Sequence, residues 1–339
     1  MYIFIWPKSD HESYAFCSQF DMSECKFVWV RFKRIRIIYK IANLIQKLYV
    51  SVKAVSIAGR DDTIITFNFE QGLYTYFIRR IIRTGGGGVI LATNMIDHTW
   101  KKWKLRLKRP ILNMAFRDPA FHITVNHAAV LEEYRSKYKR LDPERAYVLH
   151  DSYQGNNGTG SYAPTGKYIL CAGNIRDWKT FFDVARRLPG YEFVGVGRRH
   201  KMTSYLDKIP RNVEMHFDIA PNEVDKLLKE SRIVLIPLPS NITNGLTILF
   251  QAACNYKPII CTGTPTIRDI CALEDGSSGA ELVEIGDVAD ITAKIETLVS
   301  DETLGRSLCD KMHIAIQKYS PENYARTLYK HIQHIKQNK

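Results

Sequence analysis

The chain has 339 residues, 45% of them hydrophobic and 24% charged, with a formal net charge of +13. That length favours two domains with separate cores, and that composition is of a folded globular protein rather than a disordered one. Nearly all the positive excess lies in residues 1–150, which hold 25 Lys+Arg against 13 Asp+Glu, a net of +12; that half is expected to meet something anionic.

In chain order, residues 1–6 are apolar but end at Pro7 and Asp10, too short for a secretory signal. The apolar stretch 35–57 carries Arg36, Lys40, Lys47 and Lys53, which exclude a simple membrane span. The seven cysteines are scattered, odd in number and without a C-x-x-C pair. A disulfide framework or zinc site is not expected, and a reducing, cytoplasmic location fits best.

The first half reads as strands at 2–6, 26–30, 63–68, 89–94, 121–126 and 147–150. Ile37, Ile38, Ile41, Leu44, Ile45 and Leu48 recur at helical spacing, and 70–82 reads as a second helix. The run Gly85–Gly88 follows a helix and precedes a strand, the reverse of a phosphate loop, and is read as a turn. Segments 30–39 and 100–109 are basic with interleaved apolar residues, and in a helix Trp100, Trp103 and Leu107 would share a face flanked by cations. Such segments suit an anionic membrane surface, though a core-facing helix with a solvated basic face accounts for them equally. No recognition signature points to nucleic acid, which is not expected as a partner.

Residues 154–166 (QGNNGTGSYAPTG) form the best linker, dividing a first domain at 1–153 from a second at 167–320. The second half alternates strands at 167–172, 191–196, 213–217, 233–237 and 258–261 with helices at 180–188, 221–230, 246–255, 288–300 and 302–318. A last helix from Pro321 is expected to pack back on the first domain. This alternation implies α/β architecture, with two Rossmann-like doubly wound domains facing across a cleft.

Ligands bind such sheets outside the carboxyl ends of the strands. Three ends carry suitable chemistry. After Gly173 come Arg176 and Lys179; after Gly197 come Arg198 and Arg199; and 237–247 (PLPSNITNGLT) leads into a helix that Asn244 could cap. Gly245 would let a phosphate approach the free N–H groups of that helix's first turn. A guanidinium, an ammonium and a helix amino end in one crevice suit a diphosphate.

The segment 245–260 (GLTILFQAACNYKPII) resembles the donor-binding signature of GT-B fold glycosyltransferases, most closely glycosyltransferase family 4. Residues 172–178 (AGNIRDW) resemble that family's glycine-rich strand end, and 235–239 (LIPLP) also fits. The likeness spans about residues 120–335. It implies transfer of a sugar from a nucleotide-diphosphate sugar; taken with the basic first half, the expected acceptor is lipid-linked or a polysaccharide, at the inner face of a membrane. Arg176 and Lys179 would then hold the pyrophosphate near Gly173 and Gly197. Asn244, Gly245, Leu246 and Thr247 would contact it or the sugar. Gln251 would bond the ribose, and the backbone near Phe217 and Asp218 would reach the base. A histidine of the first domain would face the sugar; His98 is the best placed and His11 the second choice. The resemblance further implies a retaining reaction in which the leaving phosphate takes the acceptor's proton. No cofactor or metal is then required, and the sequence offers no Asp-x-Asp cluster.

Two departures matter. The family's paired glutamates fall at Thr243 and Gln251, and Asn255-Tyr256 replaces a small residue after the helix. A neutral amide still bonds ribose hydroxyls, so donor binding survives the change better than a charge-based role would. The alternative is a non-catalytic nucleotide-binding or membrane-associated scaffold of the same fold. A sugar-nucleotide epimerase would need acidic catalytic residues that cannot be placed here.

Overall fold

The computed structural model describes residues 1–5, 19–28, 39–82, 89–93, 102–153, 162, 164–241 and 244–338. These form two compact units. One comprises Met1–Ser152 with Pro321–Lys339, and the other Tyr153–Ser320.

The first unit runs β1 (Tyr2–Ile5), β2 (Cys25–Val28), α1 (Tyr39–Ile57), β3 (Thr63–Thr66), α2 (Phe69–Ile82), β4 (Val89–Ala92), α3 (Lys102–Ala115), β5 (Phe121–Val125), α4 (Ala128–Lys137) and β6 (Ala146–Val148). All pairings are parallel, in the order β2-β1-β3-β4-β5-β6. From β2 onward each crossover moves the same way across the sheet. Right-handed connections therefore put α1 to α4 on one face, where Val50, Ala54, Leu73, Tyr76, Leu112, Phe116, Leu131 and Tyr134 pack with Ile3, Ile64, Ile90 and Ile123. The step from β1 to β2 runs the opposite way, and Phe20 from that connection lies on the other face.

The second unit runs β7 (Ile169–Ala172), α5 (Trp178–Arg187), β8 (Phe193–Gly197), α6 (Arg199–Met202), β9 (Val213–Phe217), α7 (Pro221–Glu230), β10 (Ile233–Ile236), α8 (Leu246–Cys254), β11 (Ile259–Thr262), α9 (Pro265–Cys271), β12 (Glu281–Val283), α10 (Val288–Ser300) and α11 (Glu302–Ile316). Its parallel sheet has the order β12-β11-β10-β7-β8-β9, reversing direction beside β7. Such a switch point opens a crevice at the carboxyl ends of the neighbouring strands. The inner strands β7, β10 and β11 are buried on both faces, as their near-continuous Ile, Val and Leu content requires.

The last helix, α12 (Pro321–Gln337), covers the free face of the first sheet. Ala325, Leu328, Ile332 and Ile335 are buried there with Tyr2, Phe4, Phe20, Ile65, Leu91 and Leu149. A polar stack pins its flank. His331 donates from Nε2 to the Val148 carbonyl at 2.9 Å and stacks on Tyr147 with ring centroids 4.8 Å apart. The Tyr147 hydroxyl lies 3.0 Å from His122 Nδ1. Burial pushes His122 down to about 4 and Tyr147 up to about 12.

Several elements lie beyond the sequence reading. α4, α9 and β12 are additional, and α1 runs to Ile57, nine residues further than the spacing up to Leu48 marks. Helix α4 hides its start because its cap is His127, whose Nδ1 accepts from Ala129 N at 3.1 Å. Side-chain capping usually falls to Ser, Thr, Asp or Asn.

Candidate nucleotide-binding site

The loop after β7 carries Gly173 at φ +141°, a conformation open to glycine, and three residues later Arg176. A side chain on Gly173 would collide with the Arg176 guanidinium, so the guanidinium lies folded over the glycine's empty face. The loop is fastened at its far end. Asp177 N donates to the Pro237 carbonyl at 2.9 Å, tying it to the end of β10, and the Asp177 carboxylate accepts from Thr180 N and Oγ1 to start α5. Sequence reasoning passed over Asp177, although an Asp three residues before Thr at a helix start is a capping signal.

The loop after β10 leads to Gly245, at φ +87°, which opens α8. The expected Asn244 cap is not formed. Gly245 is the N-cap, and among the described residues no side chain caps the first-turn N–H groups, because the left-handed turn at Gly245 places Asn244 one residue outside the capping position. Leu249 N is the first to find a carbonyl in the helix, that of Gly245 at 3.0 Å. Leu246 is buried, Thr247 exposed and Gln251 half-buried further along the helix.

Arg176 and the start of α8 meet. Both terminal nitrogens of the guanidinium lie 3.8 Å from the point a Cβ on Gly245 would occupy. Arg176 is only 9% exposed. Its Nη1 donates to the neighbouring Ile175 carbonyl at 2.6 Å, while its Nε has no partner. Burial lowers its pKa, and among the described residues no carboxylate offsets that. A buried guanidinium without a counter-ion, beside an uncapped helix amino end, is electrostatically incomplete and will stabilise an anion there. Buried Asn244 Nδ2 is a second unpaired donor at this point.

Lys179 is placed differently. It lies on the exposed side of α5, where its ammonium bonds the Asp183 carboxylate at 2.8 Å. Among the described residues Asp183 is its hydrogen-bonding partner, and the structure does not bring it to Arg176.

A second cluster stands at the ends of β8 and β9. Asp218 takes the left-handed conformation at φ +54°; its N–H donates to the Gly197 carbonyl at 3.1 Å, and its carboxylate accepts from Arg199 N at 3.3 Å. The Arg199 guanidinium lies over the Phe217 ring, 4.8 Å from its centroid. Next to it Arg198 donates from Nε to Asn174 Oδ1 at 3.1 Å, linking the β8 end to the β7 loop. The rim of the crevice thus presents two guanidinium groups and an aromatic face. Asn174 is another residue the sequence reading did not single out.

His98 and His11 fall outside the described residues, as do Thr243, the glycine run 85–88, residues 30–38 of the first basic segment and residues 100–101 of the second. Among the described residues no three His, Cys, Asp or Glu side chains are grouped to hold a metal ion, and no helix is long and apolar enough to cross a membrane.

Solved structures sharing this architecture make the fold assignment. Anabaena Alr3699/HepE in complex with UDP superposes with a TM-score of 0.66 at 12% identity, covering 98% of this chain and 100% of that one. A UDP-forming α,α-trehalose-phosphate synthase from Burkholderia vietnamiensis gives 0.64 at 11% identity, covering 90% and 81%. TarM gives 0.63 at 16% identity, covering 84% of this chain and 58% of TarM, so the chain spans little more than half of that protein. The fold is that of the GT-B glycosyltransferases. No protein-family model and no curated protein matches the sequence. At these identities it is the fold that is shared.

Proposed function

We propose that the chain is a glycosyltransferase that binds a nucleotide-diphosphate sugar at the carboxyl edge of the second sheet. The observation that carries this reading is the buried, uncompensated Arg176 guanidinium set against the uncapped start of α8. A diphosphate supplies the charge that both lack. The HepE structures contain UDP and UDP-glucose, which supports a nucleotide-sugar ligand on this fold.

In this reading Arg176, with Gly173 and Gly197 giving room, holds the diphosphate against the backbone of Gly245, Leu246 and Thr247. Asn244 contributes its unpaired amide. Gln251 bonds the ribose, and the base lies toward Phe217 and Asp218. Lys179 joins the phosphates only by leaving Asp183. His98 is the candidate, by the family resemblance, for the histidine that acts on the sugar. As the glycosidic bond to the nucleotide breaks, charge grows on the departing phosphate, and the guanidinium and helix start stabilise it. That phosphate then accepts the acceptor's proton, giving a retaining transfer that needs no metal. The acceptor is a lipid-linked or polysaccharide glycan, and the enzyme acts in the cytoplasm at the inner face of a membrane.

The test is a thermal-shift screen with UDP, GDP and ADP, paired with an assay for diphosphate release from the corresponding sugar nucleotides. A nucleotide diphosphate should raise the Tm of the native chain and leave that of Arg176→Ala unchanged. No shift with any of the three sinks the reading. A shift without turnover from any donor favours instead a non-catalytic nucleotide-binding protein, the reading that neutral Gln251 keeps open.

A further inference from the structure

Helices α1, α2 and α3 lie side by side over one face of the first sheet. The first two are closed against each other on their inner flanks. Gln71 Nε2 donates to Ser51 Oγ at 2.7 Å, and that hydroxyl lies 3.0 Å from Thr75 Oγ1. Glu70 joins all three helices, accepting from Lys47 at 2.5 Å and from Lys108.

The side turned away from the sheet is apolar where solvent would ordinarily select polar residues. On α1, Ile45, Tyr49 and Val52 recur at i, i+4 and i+7, opposite the buried Val50, Ala54 and Val55. Ile45 is 52% and Tyr49 54% exposed. On α2, Phe77 and Ile81 repeat the pattern at i and i+4, with Ile81 59% exposed. Single exposed apolar residues are common on soluble proteins; periodic stripes on neighbouring helices mark a surface that binds something.

Charge decides what binds. Among the described side chains of the three helices the exposed cations are Lys53, Arg80, Arg106 and Arg109, and the one acidic residue, Glu70, is already neutralised by Lys47 and Lys108. A second copy of the chain would set its own exposed cations against these. Nucleic acid would meet the cations and leave the aliphatic stripe in water. An anionic bilayer satisfies both, receiving Ile45, Val52 and Ile81 at the level of the headgroups, holding Tyr49 at its interface and pairing the cations with lipid phosphates.

We propose that the outer face of α1 and α2 docks on an anionic lipid membrane. The proposal rests on the membrane location in the proposed function and gives it a face on the protein; it needs nothing from the nucleotide site, so a failure to bind vesicles leaves the nucleotide reading standing.

Flotation of the full chain with phosphatidylcholine vesicles, and with vesicles containing phosphatidylglycerol as well, tests it. Binding is expected to the anionic vesicles alone and to weaken as salt screens the cations. The double variant Ile45→Ser/Val52→Ser should float at least tenfold less. Lys53→Glu/Arg80→Glu should lose roughly fivefold or more for each cation removed. Both should keep the native Tm and a monomeric elution volume. Absence of flotation with anionic vesicles overturns the proposal, as does equal flotation of the native chain and either folded variant. A native chain that elutes as a dimer, and that Ile45→Ser/Val52→Ser converts to monomer, would assign the face to self-association and overturn it too.

Discussion

The Arg176 guanidinium stands 3.8 Å from the position of a Cβ on Gly245, so a side chain from the β7 loop and the first residue of α8's amino end share one point in space. Each explains the other. The glycine leaves room for an anion between them, and the guanidinium supplies charge where the helix supplies only the partial charge of its dipole.

Moving the guanidinium without deleting it isolates this relationship. Gly173→Ala puts a methyl group where Arg176 lies and forces a side chain into φ +141°. The strain is about 1–3 kcal/mol. We expect a modest fall in Tm and loss of the nucleotide-induced shift, read by thermal denaturation with and without UDP. A retained shift would show that Arg176 does not hold the ligand.

The two cations of the β7 loop should differ in weight. Arg176 is buried without a carboxylate, while Lys179 is exposed and bonded to Asp183. Arg176→Ala should weaken nucleotide binding by a hundredfold or more, on the order of 3 kcal/mol for a charge-assisted contact. Lys179→Ala should cost about tenfold or less, as exposed pairs are weak. Calorimetric titration of both variants measures the order, and the reverse ranking would shift the phosphate site toward Lys179.

Acid should loosen the first unit through His122. Its folded pKa of about 4 lies below the ordinary histidine value of 6.5 because it is buried, so the unfolded chain binds the proton more readily. Stability from this group is complete above about pH 6.5 and is lost as pH falls toward 4, on the order of 3 kcal/mol at most. His331 is shifted in the same direction by burial, against its bond to Val148. Urea denaturation of His122→Gln between pH 4 and 7 should show a flatter profile than the native chain; identical slopes would remove His122 from the account.

Leu328 is fully buried between α12 and the first sheet. Leu328→Ala should destabilise the first unit by about 2–5 kcal/mol through lost burial and a cavity. Chemical denaturation with a probe in each unit should show the first transition moving and the second unchanged. A shift of both together would mean that the units unfold as one.

The second sheet was largely readable because its strands are short apolar runs broken by Gly, Pro and polar residues. The exception, β12, is three residues long and has Glu281 at its start, which gives no hydrophobic run to find. At the site, Arg176 was legible as a cation just past a strand. The partners of the rim were not. That Arg198 reaches Asn174 and that Asp177 anchors the loop on Pro237 are contacts between strand ends far apart in sequence, which no local pattern encodes. Apolar spacing likewise announced α1 without saying which side the sheet covers, since Val50 and Ile45 are equally hydrophobic and only one is buried.

Because the first unit takes α12 from the far end of the chain, its synthesis and its completion are separated by the whole of the second unit. On the ribosome, the contiguous second unit can finish while Phe4, Ile65 and Leu91 still await their cover. A message ending at Ser320 would therefore yield a product with one finished unit and one greasy open sheet, and such a product is a natural client for chaperones and proteases.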